Sequence, residues 1–150
     1  MKKRGWILLL AAVLLLAVGC GGSEKILSTE GVPQEVLQSA QYKAALAEET
    51  ATVIAYNYVP LTDSAPVRAA VKKMQAGEDA ELRYYNFYDR NDCQGIDGMR
   101  LTVKDGVAAF QEISLTGYGD TVDWENVLYQ QAEEIKLNSC GELSIIDSVD

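Results

Sequence analysis

The chain has 150 residues, with 13 Lys and Arg against 22 Asp and Glu, no His, and a formal net charge of −9. That length fits one domain with a real core. The acidic balance excludes a phosphate-neutralising surface, and so nucleic acid as a partner. The lack of His excludes Ser–His–Asp and Cys–His nucleophilic sites, His-ligated zinc and a His proton switch. The charge is unevenly spread. Lys2, Lys3 and Arg4 are the only charges in residues 1–19, and without them 10 bases face 22 acids, a net of −12. Residues 111–150 alone carry nine acids and one base, whereas residues 61–110 are almost neutral.

In chain order, the basic start is followed by a thirteen-residue apolar run from Trp6 to Val18. This is too short to cross about 30 Å of hydrocarbon, and no charged stop-transfer flank follows it. It ends in Ala17, Val18, Gly19 and Cys20. Over residues 1–22 the pattern resembles a bacterial lipoprotein signal peptide with its lipobox. The resemblance implies that residues 1–19 are a leader and that Cys20 becomes a lipidated, palmitate-bearing N-terminus. It also implies a protein anchored to the cell membrane through that lipid, on its extracytoplasmic face. Two or more acyl chains give the stable anchoring that one cannot. Residues 20–32 are then the lipidated cysteine and a flexible tether rich in Gly, Ser and charge, leaving 33–150 as a single domain.

Val32 and Pro33 open a helix predicted over 33–48, with Val36, Leu37, Ala40, Ala44 and Leu46 near helical spacing. Strand chemistry runs from Thr50 to Val59 and stops at Pro60. Asp63, Ser64 and Pro66 mark a second helix start, Val67, Ala70, Val71 and Met74 its apolar stripe, and Gly77 its end. Arg68, Lys72 and Lys73 fall on its solvated face. Glu81 to Tyr88, Met99 to Lys104 and Val107 to Leu115 read as strands, with Asp105 and Gly106 as a type I′ turn. The connection from Asp89 to Gly98 is long and polar. Trp124, Val127, Leu128, Ala132 and Ile135 predict a third helix over 122–137, and Leu143 to Ile146 a last strand. The expected class is α+β: one mostly antiparallel sheet with a three-strand meander at about 81–116, and helices packed on one face.

Cys93 and Cys140 remain once Cys20 is set aside, an even pair in an exported protein, and are expected to form a structural disulfide. The bridge would close a loop worth about 4 kcal/mol of chain entropy. Asp89, Asn91 and Asp97 are weak metal candidates, because the matching EF-hand positions five, six and twelve hold Cys93, Gln94 and Arg100. Tyr56, Tyr58, Tyr84, Tyr85 and Tyr88 are the candidate ligand-binding set, since an exposed tyrosine face offers apolar rings with polar tips. Alternation puts Tyr84 and Tyr88 opposite Tyr85 and Phe87, so one set belongs to the core. Carboxylates such as Glu112, Asp120, Asp123, Glu125, Glu133 and Glu134 are the only acid/base equipment for a hydrolase, and nothing selects a pair. The sequence therefore points to a non-catalytic binding or scaffolding lipoprotein of the cell envelope. It calls for no catalytic residue and no cofactor, and its partner would be an envelope protein or glycan. A glycan- or peptide-binding accessory domain is the alternative, ahead of a carboxylate hydrolase.

Overall fold

The computed structural model describes residues 26–63, 65–91, 93–137 and 143–147. Cys20 and Cys140 lie outside them. Two short helices, α1 (Gln34–Gln38) and α2 (Ala40–Leu46), precede strand β1 (Ala51–Tyr56) and the two-residue β2 (Val59–Pro60). Helix α3 (Ala65–Gln75) leads to the long strands β3 (Ala80–Arg90), β4 (Cys93–Lys104) and β5 (Val107–Thr116). A single 3₁₀ turn (Trp124–Asn126), then β6 (Gln130–Leu137) and β7 (Leu143–Asp147), complete the domain.

The strands form a seven-stranded sheet in the order β2-β1-β3-β4-β5-β6-β7, antiparallel except for β1 beside β3. The class is mixed α and β with a mostly antiparallel sheet. The sheet is not a three-strand meander, because the antiparallel run continues past residue 116 through β6 and β7. A parallel pair needs a crossover, and α3 between β1 and β3 supplies it.

The predicted helix over 33–48 is broken at Ser39, whose ψ of 153° is extended. Its hydroxyl accepts from the Tyr42 N–H at 3.1 Å and donates to the Val36 carbonyl at 2.8 Å, ending one helix and capping the next. The helix predicted over 122–137 is instead a 3₁₀ turn and irregular chain in its first half and strand β6 in its second. Ala132 and Ile135 are both buried although three residues apart, which strict strand alternation forbids. A register shift between Ala132 and Glu134 reconciles them, for the extra residue of a bulge turns a helical spacing into a shared strand face. The predicted long loop from Asp89 to Gly98 is also strand on both sides. Arg90 pairs with Cys93, and Asn91, at φ +50°, turns the chain after β3. By contrast, Asp105 (φ +52°) and Gly106 (φ +76°) make the predicted tight turn. Asp63 Oδ1 accepts from the Ala65 N–H at 2.9 Å at the start of α3.

Helices lie on both faces of the sheet rather than on one. On the back face, α1 and α2 bring Val36, Tyr42 and Ala45 onto Ile54, Tyr85, Phe87 and Ile96, with Tyr118 and Trp124 closing the cluster. Phe87 is its centre, 5.8 Å from the Tyr42 ring and 6.1 Å from that of Tyr118. On the front face, α3 brings Ala70, Val71 and Met74 onto Leu82, Leu101, Val103 and Phe110, and Ala132 and Ile135 of β6 join them. Each fully buried Leu, Ile or Phe contributes about 1.5–3 kcal/mol. The two cores sit at opposite ends of the central strands, so one quadrant of each face is left without a helix.

Candidate functional site

Cross-strand register fixes what the open quadrant of the front face presents. β3 places Tyr84, Asn86 and Tyr88 there, opposite Met99, Asp97 and Gly95 of β4. Asp97 in turn faces Ser114 of β5, whose hydroxyl donates to Asp97 Oδ1 at 2.7 Å. Tyr58 reaches the same quadrant from the β1–β2 hairpin. Its N–H donates to Asn86 Oδ1 at 2.8 Å, and the Arg90 guanidinium lies 4.2 Å from its ring centroid. Tyr84 and Tyr88 are partly exposed and Tyr58 is 56% exposed.

Two backbone features hold these rings. Asn57 and Tyr58 have φ of +47° and +66°, the left-handed pair of a type I′ hairpin, where a tyrosine costs more than glycine would. The Asn57 N–H donates to the Phe87 carbonyl at 2.8 Å, and Asn57 Oδ1 accepts from the Asp89 N–H at 3.1 Å, tying the turn to β3. Gly95 lies under the Tyr88 ring, and a Cβ there would meet the Leu115 carbonyl and the Tyr88 phenol. Only a residue without a side chain lets the ring lie flat on β4.

The phenols stay protonated. Burial, then the neighbouring Tyr58 and the Asp97 carboxylate, push Tyr84 up to about 12. Tyr88 is raised by burial first and by Asp97 and Cys93 next. Both hydroxyls are therefore neutral donors and acceptors at physiological pH. Asn86 is fully buried between them, and its Nδ2 has no hydrogen-bond partner among the described residues.

The five predicted tyrosines thus divide. Tyr85 is core at 1% exposure, and Tyr56 packs at the edge of the back-face core. Tyr58, Tyr84 and Tyr88 come together. The weak metal set does not: Asp89 lies on the back face, Asp97 on the front and Asn91 in the turn. Asp89 Oδ2 accepts from Gln94 Nε2 at 3.2 Å. Among the described residues no group of three ligating side chains could hold a metal ion. Cys93 is exposed at the start of β4 with a free thiol, and its expected partner Cys140 is outside the described residues.

A charged network that the sequence did not single out lies on the back face. The Tyr85 hydroxyl donates to Glu48 Oε1 at 2.6 Å and accepts from Trp124 Nε1 at 3.0 Å. Arg83 joins Glu48 at 2.9 Å to Glu81 at 2.7 Å, and Arg100 meets Glu81 at 3.0 Å. Burial would raise the Glu81 carboxyl, but hydrogen bonds and charge from Arg100 and Arg83 outweigh it and hold the group below its usual value. Burial likewise opposes charge on Arg83, yet its bonds to Glu81 and Glu48 raise it. The signal for this network was too diffuse to read: Glu48 sits in a loop, and only pairing makes Arg83 and Arg100 neighbours.

The carboxylates named from sequence are scattered. Asp123 accepts from the Glu125 N–H and from Asn126 Nδ2. Glu134 pairs with Lys136 at 2.7 Å on the surface. A concavity of about 550 Å³ between α3 and β6 is lined by Met74, Gln75, Val103, Ile135 and neighbours, with Glu133 and Glu134 at its polar side.

Fold and site together define a mixed α and β fold whose mostly antiparallel sheet presents Tyr58, Tyr84 and Tyr88 on one face, outside the part that α3 covers. No family model, no curated protein and no solved structure matches this chain. Among the described residues no helix is long and apolar enough to cross a membrane.

Proposed function

We propose that this protein is an extracytoplasmic lipoprotein anchored through Cys20, and that its domain is a non-catalytic binding module of the cell envelope. The reading rests above all on Tyr58, a bulky ring held more than half exposed beside Tyr84 and Tyr88 by a left-handed turn. A ring kept out of the core against its backbone preference fits a surface that meets a ligand. Anchoring is carried by the Ala17–Cys20 lipobox and the short apolar run before it. Against catalysis stands the state of Glu48 and Glu81, the two carboxylates that share Arg83. Both are engaged by Arg83, and Glu81 is held ionised, the reverse of what a general acid requires.

The anchoring test is metabolic labelling with a palmitate analogue in bacteria expressing the chain. Label should enter the wild type and be lost in Cys20→Ala, which should then leave the membrane fraction. Equal labelling of both would refute the anchor. The module test is binding of envelope fractions to the wild type and to a Tyr58→Ala variant. Retention by both to the same extent would remove the tyrosine face from the function.

A further inference from the structure

We propose that the tyrosine face takes a neutral oligosaccharide; this rests on reading that face as the binding surface and adds the chemistry of the ligand. The first argument is geometric. Tyr84 and Tyr88 lie four residues apart on one side of β3, so their Cα positions are about 13 Å apart along the strand. Tyr58 rises beside Asn86 in the interval between them. An extended ligand laid along β3 therefore meets ring, polar gap and ring. Sugar rings alternate an apolar C–H face with a rim of hydroxyls, which suits tyrosine rings with their own polar tips.

The second argument concerns hydrogen-bonding type. The gap offers Asp97, which only accepts, and Ser114, whose hydroxyl donates to Asp97 and can still accept. Sugar hydroxyls both donate and accept, and so can answer each of these. A proline-rich peptide has carbonyl acceptors but few donors and would leave unanswered the lone pairs of Asp97 that Ser114 does not take. A β-strand peptide has no opening here either. The backbone groups of β3 and β4 at this point are paired within the sheet, and strand addition needs an edge. The third argument is charge. Arg90 offsets Asp97 within the patch, whereas the chain beyond residue 19 carries 10 bases and 22 acids, a net of −12, which repels polyanionic glycans at a distance.

The test is calorimetric titration of the full chain in detergent with hexamers of β-1,4-glucose, β-1,4-N-acetylglucosamine and α-1,4-glucose. Hexaproline and hexalysine are the comparison ligands. At least one hexasaccharide should bind saturably, and Tyr84→Ala and Tyr88→Ala should each weaken it about tenfold. Tyr129→Ala, which removes an exposed ring outside the face, should leave binding unchanged. Circular dichroism and melting of each variant separate lost binding from lost folding, and Tyr58→Ala, at the most exposed of the three rings, provides a variant with little to lose from the core. Binding of a peptide hexamer instead, weakened by the same variants, would keep the face and overturn the saccharide. Saccharide binding untouched by all three tyrosine variants, or no binding of any ligand at millimolar concentration, would overturn both.

Discussion

Replacing Tyr85 by phenylalanine removes one oxygen from the middle of the back-face core and leaves the ring in place. That oxygen links three segments distant in sequence: Glu48 after α2, β3, and the irregular stretch that carries Trp124. Without it the buried indole N–H loses its partner, which costs about 1–3 kcal/mol. Glu48 loses a short charge-assisted bond worth about 1.5–3 kcal/mol, partly recovered because Arg83 and the Thr50 and Thr52 hydroxyls still reach the carboxylate. The net expectation is a loss of about 2–4 kcal/mol, a large fraction of a domain's stability. In urea the midpoint should fall with an unchanged slope, and Tm should drop by about 10 °C. The substitution also changes the alkaline limb. Burial, then the bond to Glu48, pushes the Tyr85 phenol up to about 12. Its contribution is complete below the ordinary tyrosine value near 10 and is lost as pH rises through about 12. Tyr85→Phe should therefore flatten the decline in stability between about pH 10 and 12, leaving the part due to Tyr118 and Tyr84, which are also held up to about 12. A loss below about 0.5 kcal/mol with unchanged Trp124 fluorescence would refute the claim that this hydroxyl ties the segments together.

Glu81→Gln should destabilise by about 1–2 kcal/mol, since it leaves Arg83 and Arg100 facing each other across β3 and β4. Because the native Glu81 value is depressed, its contribution is present above the ordinary carboxylate range and lost as pH falls; the variant should show a shallower acid limb in urea midpoints, and an unchanged limb would count against it. Gly95→Ala should cost about 2 kcal/mol or more and shift the Tyr88 resonances, because the added methyl meets the Leu115 carbonyl and the Tyr88 phenol; a wild-type melt would contradict that contact. Tyr58→Gly should leave stability unchanged or raise it by up to about 1 kcal/mol, relief of the left-handed turn offsetting the lost Arg90 contact, while abolishing ligand binding. If Cys93 and Cys140 bridge in the exported protein, thiol counting on the denatured, unreduced chain finds neither free, and Cys93→Ser lowers stability by about 2–4 kcal/mol; two titratable thiols would exclude the bridge.

Much of the fold was legible where local chemistry and tertiary packing agree. The Asp105–Gly106 turn, the α3 boundaries and the opposition of Tyr84 to Tyr85 all follow from residue type and period. The errors have a common cause in tertiary terms. Ala132 and Ile135 have helical spacing, but a bulge gives a strand that same spacing. Trp124 and Val127 read as the same helix, yet the side chain of Gln111 takes both their carbonyls, at 2.8 and 2.6 Å, and so holds that stretch as a 3₁₀ turn and loop. Gln41 does the same for the Val122 N–H at 2.9 Å. Such bonds join residues far apart in sequence, and no window over the chain could show them. The candidate site was legible to the level of residue type: sequence named the five tyrosines, and cross-strand register selected three.

The placement of the two cores also bears on how uniquely the chain can pair. A strand that buries one face along its whole length can slide by two residues and still present apolar side chains inward. β3 lacks that freedom, because it buries Leu82 toward α3 and Tyr85 and Phe87 toward α1 and α2. A one-residue slip turns all three to the wrong side, and a two-residue slip brings Arg83 or Asp89 into a place now filled by Tyr85 or Phe87. Mispaired sheets would therefore be penalised at both ends at once, an arrangement that guards a long, tyrosine-rich strand against the off-register pairing from which aggregates grow.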